Sequence, residues 1–273
     1  MMLLQELLCL TDSYADIEHW FTDIAQYLLN NFHLLVNNEP HRIIEIECYY
    51  FSQTHQDVFA HRDAIQLNCA RWYFHKIGGT YKGGTFKGLD LTFGDRNSYG
   101  GILIRSVETP GNSIICGPSL CVDYFLTKCD SKNITMLDEK IAGRTAFDKS
   151  NILRLETSPI VRQDKIFTTA RVGLSLKKAA LINNMQSFIL RPYRYLTEPR
   201  KITKGKVHLI LALHRSGINI EEICQTTGSL RRSVQRYIDE FEVGQQEQNF
   251  SAYFGRELDI FALCRLHGNI SGQ

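Results

Sequence analysis

The stretch RIIEIECYY, residues 42–50, sets two carboxylates and a phenol at alternate positions of the most β-prone run in the chain. In a strand, alternate residues share a face. Glu45, Glu47 and Tyr49 then stand together, while Ile44, Ile46 and Cys48 point the other way and can pack on a core. Two carboxylates held close and partly desolvated raise the pKa of one of them, which suits a general base acting on water. A strand with one wet face and two solvated glutamates is the plain alternative. Asp57 and His61, four apart in HQDVFAH, follow soon after and add an acid and an imidazole. A sugar hydrolase built on Glu45 and Glu47 is a weaker match, because neighbours on one strand face do not flank a glycosidic bond from opposite sides.

Charge points toward a polyanion. The net charge is only +2, but residues 1–40 hold six acids and no Lys or Arg. Residues 160–206 hold eleven basic side chains against Asp164 and Glu198. Such a segment suits DNA; a solvated basic face without a partner is the alternative. No run of about 18 apolar residues is present, so no membrane span is expected. The N-terminal stretch lacks the basic start of a signal peptide. The eight cysteines form no C-x-x-C pair and several fall in apolar runs, which reads as reduced, buried thiols in a cytoplasmic protein, with no zinc site.

The elements that must position these groups follow from periodicity. Residues 3–37 read as helical, 42–51 as a strand and 62–76 as a short helix. GGTYKGGTFKGLDLTFG reads as strands joined by tight turns, and GGILIRSVE (100–108) as another strand. GPSLCVDYFL (117–126) reads as a helix opened by Pro118. Residues 130–160 read as polar and irregular. Glycines 78–88 lack the G-x-x-x-x-G-K-[ST] spacing of a phosphate loop. Lys82 and Lys87, interleaved with Tyr81 and Phe86, can instead touch a DNA backbone or remain solvated.

Seven short pieces, taken in order, resemble the alkyladenine (3-methyladenine) DNA glycosylase family. Arg42–Tyr49 is similar to its R-I-V-E-T-E-A-Y strand, Asp57 and His61 to its D-x-x-x-H element, and Phe93-Gly94 to its Y-G turn. Ile102–Glu108 resembles V-L-L-R-A-L-E, and Gly117–Leu120 resembles G-P-G-x-L. Arg171–Leu174 and Arg194-Tyr195 resemble its R-V-G-I and R-F pieces. The likeness covers residues 40–200. It implies an α+β fold with a mixed, curved β-sheet core and flanking helices. It implies base flipping, with Glu47 activating the water that attacks the sugar carbon. Tyr49, His61, Asp90 and Glu45 would line the base pocket. Phe93 would be the wedge that fills the gap in the stack, and Arg105 would contact the nucleotide or its phosphate. No cofactor or metal is implied. Asp90 stands where the family has an aromatic residue, so the expected substrate is a polar or bulky modified base rather than plain 3-methyladenine, including a hypermodified cytosine of phage DNA.

Beyond Pro199 the composition changes. RKITKGK reads as a basic linker, residues 205–241 read as helical, and 209–241 within them as a helix-turn-helix with turns at Gly217 and Gly228. Ser229 is the expected N-cap of a second helix carrying Arg231, Arg232, Gln235 and Arg236 toward a major groove. FSAYFGRELDIFALCRLHG (250–268) reads as one more helix. The expectation is thus a helical segment over 1–40, a catalytic domain over 41–200 and a small all-helical domain over 201–273. The expected function is a monomeric, monofunctional glycosylase acting on double-stranded DNA in repair or antiviral defence. The alternative is a non-catalytic regulator that senses modified bases.

Overall fold

The computed structural model describes residues 4–9 and 16–272. The chain forms two units, Met1–Ile166 with Tyr195–Thr197, and Phe167–Arg194 with Glu198–Gln273. The boundary therefore falls near residue 166 rather than 200, and the N-terminal helices belong to the first unit.

In the first unit, α1 (Leu4–Leu8) and α2 (Ile17–Asn30) precede the antiparallel hairpin of β1 (Phe32–Val36) and β2 (Glu39–Phe51). Asp16 caps α2 by accepting the Glu18 N–H at 2.9 Å. Residues 32–37 are not helical as their apolar content suggested. Asn37 and Asn38 take φ of 49° and 68°. That pair makes the two-residue turn that fits strand twist, and asparagine tolerates this region. Next come β3 (Cys69–Phe74), β4 (Lys76–Ile77), β5 (Thr80–Tyr81), β6 (Leu89–Phe93), β7 (Tyr99–Glu108) and β8 (Ile114–Cys116). The expected helix over 62–76 shrinks to one turn at Ala64–Leu67, boxed by Asp63 and Gln66. The aromatic run Trp72-Tyr73-Phe74 then pairs with β6, as aromatic residues favour a pleated surface. Two further elements, α3 (Pro118–Lys128) and α4 (Ile134–Ile141), lead to β9 (Leu153–Thr157), which pairs with β1. The polar segment 130–160 thus holds a helix, capped by Asn133, and a strand.

The central strands run β2-β7-β6-β3, all antiparallel. One face of the sheet meets α2. Trp20, Phe21, Tyr50 and Phe93 stack there, with Trp20 and Phe93 ring centroids 5.1 Å apart. Cys9 and Cys69 form a disulfide, so these two thiols are not reduced as expected. Cys48, Cys121 and Cys129 are buried thiols outside this disulfide.

In the second unit, α5 (Met185–Phe188) precedes four longer helices: α6 (Lys206–Arg215), α7 (Ile220–Thr227), α8 (Arg231–Gln246) and α9 (Ile260–Gly272). Ile210, Ile223, Val234 and Ile238 form the centre of α6–α8. Asn219 caps α7 by accepting the Glu222 N–H, and Gly228 ends it at φ 67°. The N-cap of α8 is Leu230, not Ser229. The last helix starts at Ile260, ten residues later than expected. It crosses α8 closely: a Cβ on Gly268 would sit 1.9 Å from the Phe241 carbonyl oxygen, and one on Gly244 would sit 2.0 Å from that of Arg265. Two buried arginines brace this unit. Arg194 donates to the Gly205 and Lys204 carbonyls at 3.0 Å each, and Arg171 donates to that of Phe188. Burial removes both from the basic surface that the sequence suggested.

Candidate active site

A bulge in β2 between Ile43 and Ile46 resets its register against β7. Beyond it the alternation is regular. Glu47 pairs with Leu103, Leu103 with Asp90 and Asp90 with Tyr73. Directly opposed residues point to the same face. Glu47, Asp90 and Tyr73 therefore lie in one row on the face away from α2, with Glu47 and Asp90 two strands, about 10 Å, apart.

At one end of the row, Glu45 and Glu47 are both fully buried. Arg105 bridges them: its Nε donates to Glu45 Oε1 at 3.0 Å and its NH1 to Glu47 Oε2 at 3.2 Å. Ser106 Oγ also donates to Glu45, and the Tyr49 hydroxyl donates to Glu47 Oε2 at 2.8 Å. Here lies the reason for two acids inside an apolar strand: they are the counter-charges of a buried arginine. Burial works against the Arg105 charge, but the charges of Glu47 and Glu45 outweigh it and raise its pKa above the ordinary value. The pair is not the wet strand face that stood as the plain alternative: both carboxylates are fully buried.

At the other end, Asp90 is 2% exposed. His75 Nε2 lies 2.7 Å from Asp90 Oδ1, and the Gln66 amide donates to Oδ2 at 3.0 Å. Gly101 makes room for this, since a Cβ there would fall 2.6 Å from Asp90 Oδ2 and 2.5 Å from Gln66 Nε2. His61 packs on His75, with ring centroids 4.1 Å apart. Its Nε2 lies 3.0 Å from Lys82 Nζ and its Nδ1 3.4 Å from the Tyr73 hydroxyl. Burial, then the nearby His75, lowers the His61 pKa to about 4, so the ring is neutral at pH 7. Burial also lowers the Lys82 pKa and raises that of Tyr73. Asp57 is fully buried and accepts the Phe59 N–H within its own loop, four residues from His61.

The structure brings Glu45, Glu47 and Tyr49 together as the alternation predicted, and sets Asp90, His61 and Lys82 as a second cluster on the same face. Arg105 is a correction: expected to contact the nucleotide or its phosphate, it is buried between the two glutamates as their counter-charge. Phe93 is a correction. It is fully buried among Trp20, Phe21 and Tyr50 on the opposite face, where it cannot enter DNA. Lys87 is paired with Asp123. Its neighbour Phe86, by contrast, is 76% exposed. The loop that carries Phe86 is fastened to α3 by this ion pair and by the Ser119 hydroxyl, which donates to the Gly84 carbonyl at 2.8 Å. On α8, Arg232 and Gln235 are exposed, Gln235 donates to Asp239, Arg231 pairs with Glu221 and Arg236 lies 3.9 Å over the Phe261 ring. Sequence reasoning missed Ser106, Gln66, Tyr73 and His75. Tyr73 and His75 were within reach had 69–75 been read as a strand, because they alternate. Gln66 showed in the D-x-x-Q capping pattern. Ser106 left no signal, since only the β2 bulge turns it toward Glu45. Among the described residues, no three His, Cys, Asp or Glu side chains gather as a metal-binding set, and no helix is long and apolar enough to cross a membrane.

No family model matches the chain. It is 33% identical over 216 residues to "Uncharacterized protein L759" of Acanthamoeba polyphaga mimivirus, an alignment that covers 72% of this chain and 95% of that protein. At that identity and coverage, the chain belongs to the family of the mimivirus L759 protein.

Proposed function

We propose that the protein is a monofunctional DNA glycosylase in which Glu47 takes a proton from water while the water oxygen bonds to the sugar C1′. The C1′–N bond breaks, and the base departs, leaving an abasic site. The observation that carries this reading is the buried Glu45–Arg105–Glu47–Tyr49 network on the same sheet face as the Asp90–His75–His61 cluster. Arg105 and the Tyr49 hydroxyl both bond Glu47 Oε2, which fixes the orientation of the carboxyl group that a general base must present. The second cluster offers a neutral imidazole and a carboxylate of fixed orientation, two strands away, to read a base edge. It is polar rather than a box of aromatic walls. It therefore suits a modified base with hydrogen-bonding substituents, a damaged purine or a hypermodified base of phage DNA, better than a plain alkylpurine cation. Phe86 takes the wedge role, since an exposed aromatic on a fastened loop can replace lost stacking. The α7–α8 pair adds DNA affinity through Arg232 and Gln235.

A second reading, a DNA-binding regulator with an inert first unit, is favoured by the complete burial of both glutamates. One experiment separates the two. The protein and Glu47→Gln are incubated with alkylated, deaminated and glucosylated-cytosine DNAs, and free bases are identified by mass spectrometry. Release by the wild type alone, with the variant folded, supports the glycosylase. No release from any DNA with tight binding retained selects the regulator.

A further inference from the structure

The second unit contains a cavity of about 580 Å³ lined by fourteen residues, none of them acidic. That is the size of a small-molecule site. Arg191 and Arg215 supply two guanidinium groups at its wall, Ser216 a hydroxyl and Leu190 an apolar patch. The Arg191 Nε donates to the Ser187 carbonyl at 3.0 Å, which fixes the direction of its fork. Deeper in the wall lie His208 and His267, each 4% exposed, with His208 Nδ1 2.9 Å from His267 Nε2. The other nitrogen of His267, Nδ1, is buried and has no hydrogen-bond partner among the described residues. Either tautomer leaves it so, as a bare N–H in one and a bare lone pair in the other.

We propose that this cavity binds a phosphate-bearing small molecule the size of a nucleoside monophosphate. Two planar forks suit a phosphate, which offers three acceptor oxygens, and leave a surplus of positive charge that a neutral ligand would not use. The imidazole pair and Leu190 then face the part of the ligand beyond the phosphate, a ring with both polar edges and an apolar face. This site lies wholly within the second unit and does not depend on the proposed glycosylase.

The test is calorimetric titration of the full chain with deoxyadenosine monophosphate, deoxyadenosine and inorganic phosphate. The expected result is saturable binding of the monophosphate and at least tenfold weaker binding of the nucleoside. Arg191→Ala and Arg215→Ala each weaken the monophosphate about tenfold, as loss of a charge-assisted contact should. Both side chains are exposed, and thermal denaturation confirms that the variants fold. Three outcomes overturn the proposal: no saturable binding, binding indifferent to both arginine substitutions, or displacement of the nucleotide by an equimolar ten-nucleotide strand without terminal phosphate, which would make the site a backbone contact for DNA.

Discussion

Arg105 stands 4% exposed between two fully buried carboxylates. Removing one partner of such a set leaves uncompensated buried charge, which is more damaging than the set is stabilising. Arg105→Ala should therefore lower unfolding free energy by about 3–5 kcal/mol, read as a fall in the urea midpoint. An unchanged midpoint would mean that water reaches the glutamates. The two phenylalanines make the opposite pair of expectations. Phe93→Ala should cost about 3–5 kcal/mol as a core truncation. Phe86→Ala should stay within about 0.5 kcal/mol as a surface change, yet weaken binding to duplex DNA in a fluorescence titration. Equal duplex binding by Phe86→Ala and wild type would remove Phe86 from the wedge role. At this scale the Glu45, Glu47, Tyr49 alternation was legible, because a period of two needs no tertiary knowledge. Their partner was half legible: Arg105 stood out in I-L-I-R-S-V-E, but nothing local says that it meets both acids. Phe93 misled because an aromatic beside a glycine looks the same whether it faces DNA or a helix; only the parity of β6 against α2 decides.

Elements were readable where a capping or turn residue accompanied the pattern. Pro118 at the start of α3 and Gly228 at the end of α7 mark their positions. The β1–β2 turn was readable too, since V-N-N-E-P carries a pair of asparagines between apolar runs, but a long apolar stretch upstream carried the helix reading too far. Short aromatic runs such as Trp72–Phe74 fit either period, and pairing with β6 settled them. The α8–α9 crossing was invisible in the sequence, because two glycines inside helices usually signal weakness rather than contact. There, Gly268→Ala should destabilise by about 1–3 kcal/mol as overpacking against backbone, although alanine has the better helix propensity. A gain in melting temperature would show that the helices can separate at no cost.

For the whole molecule, buried imidazoles set the response to acid. His61 has its pKa lowered to about 4, chiefly by burial, and His267 to about 3 for the same reason. Unfolded, each titrates near 6.5. Between those values the unfolded chain binds more protons than the folded one, so stability is complete above pH 6.5 and declines as pH falls toward 4 and below. Urea midpoints at pH 7 and pH 4.5 should differ in that direction, with less of the difference in His267→Leu. A midpoint that rises on acidification would contradict neutral burial of these rings. The division into units was partly legible, because the helical C-terminal composition is distinct, but the return of Tyr195–Thr197 to the first unit has no sequence mark. Within that unit, the row from Glu47 through Leu103 and Asp90 to Tyr73 has a further consequence. Its spacing is set by main-chain ladders, not by the side chains it carries. Under the proposed function, selectivity and reactivity are then separable traits: drift at Asp90, His75 or Gln66 changes which base is accepted while the distance from Asp90 to Glu47 stays fixed. A change in the chemistry of the target DNA would then be met by revision at one end of the row alone.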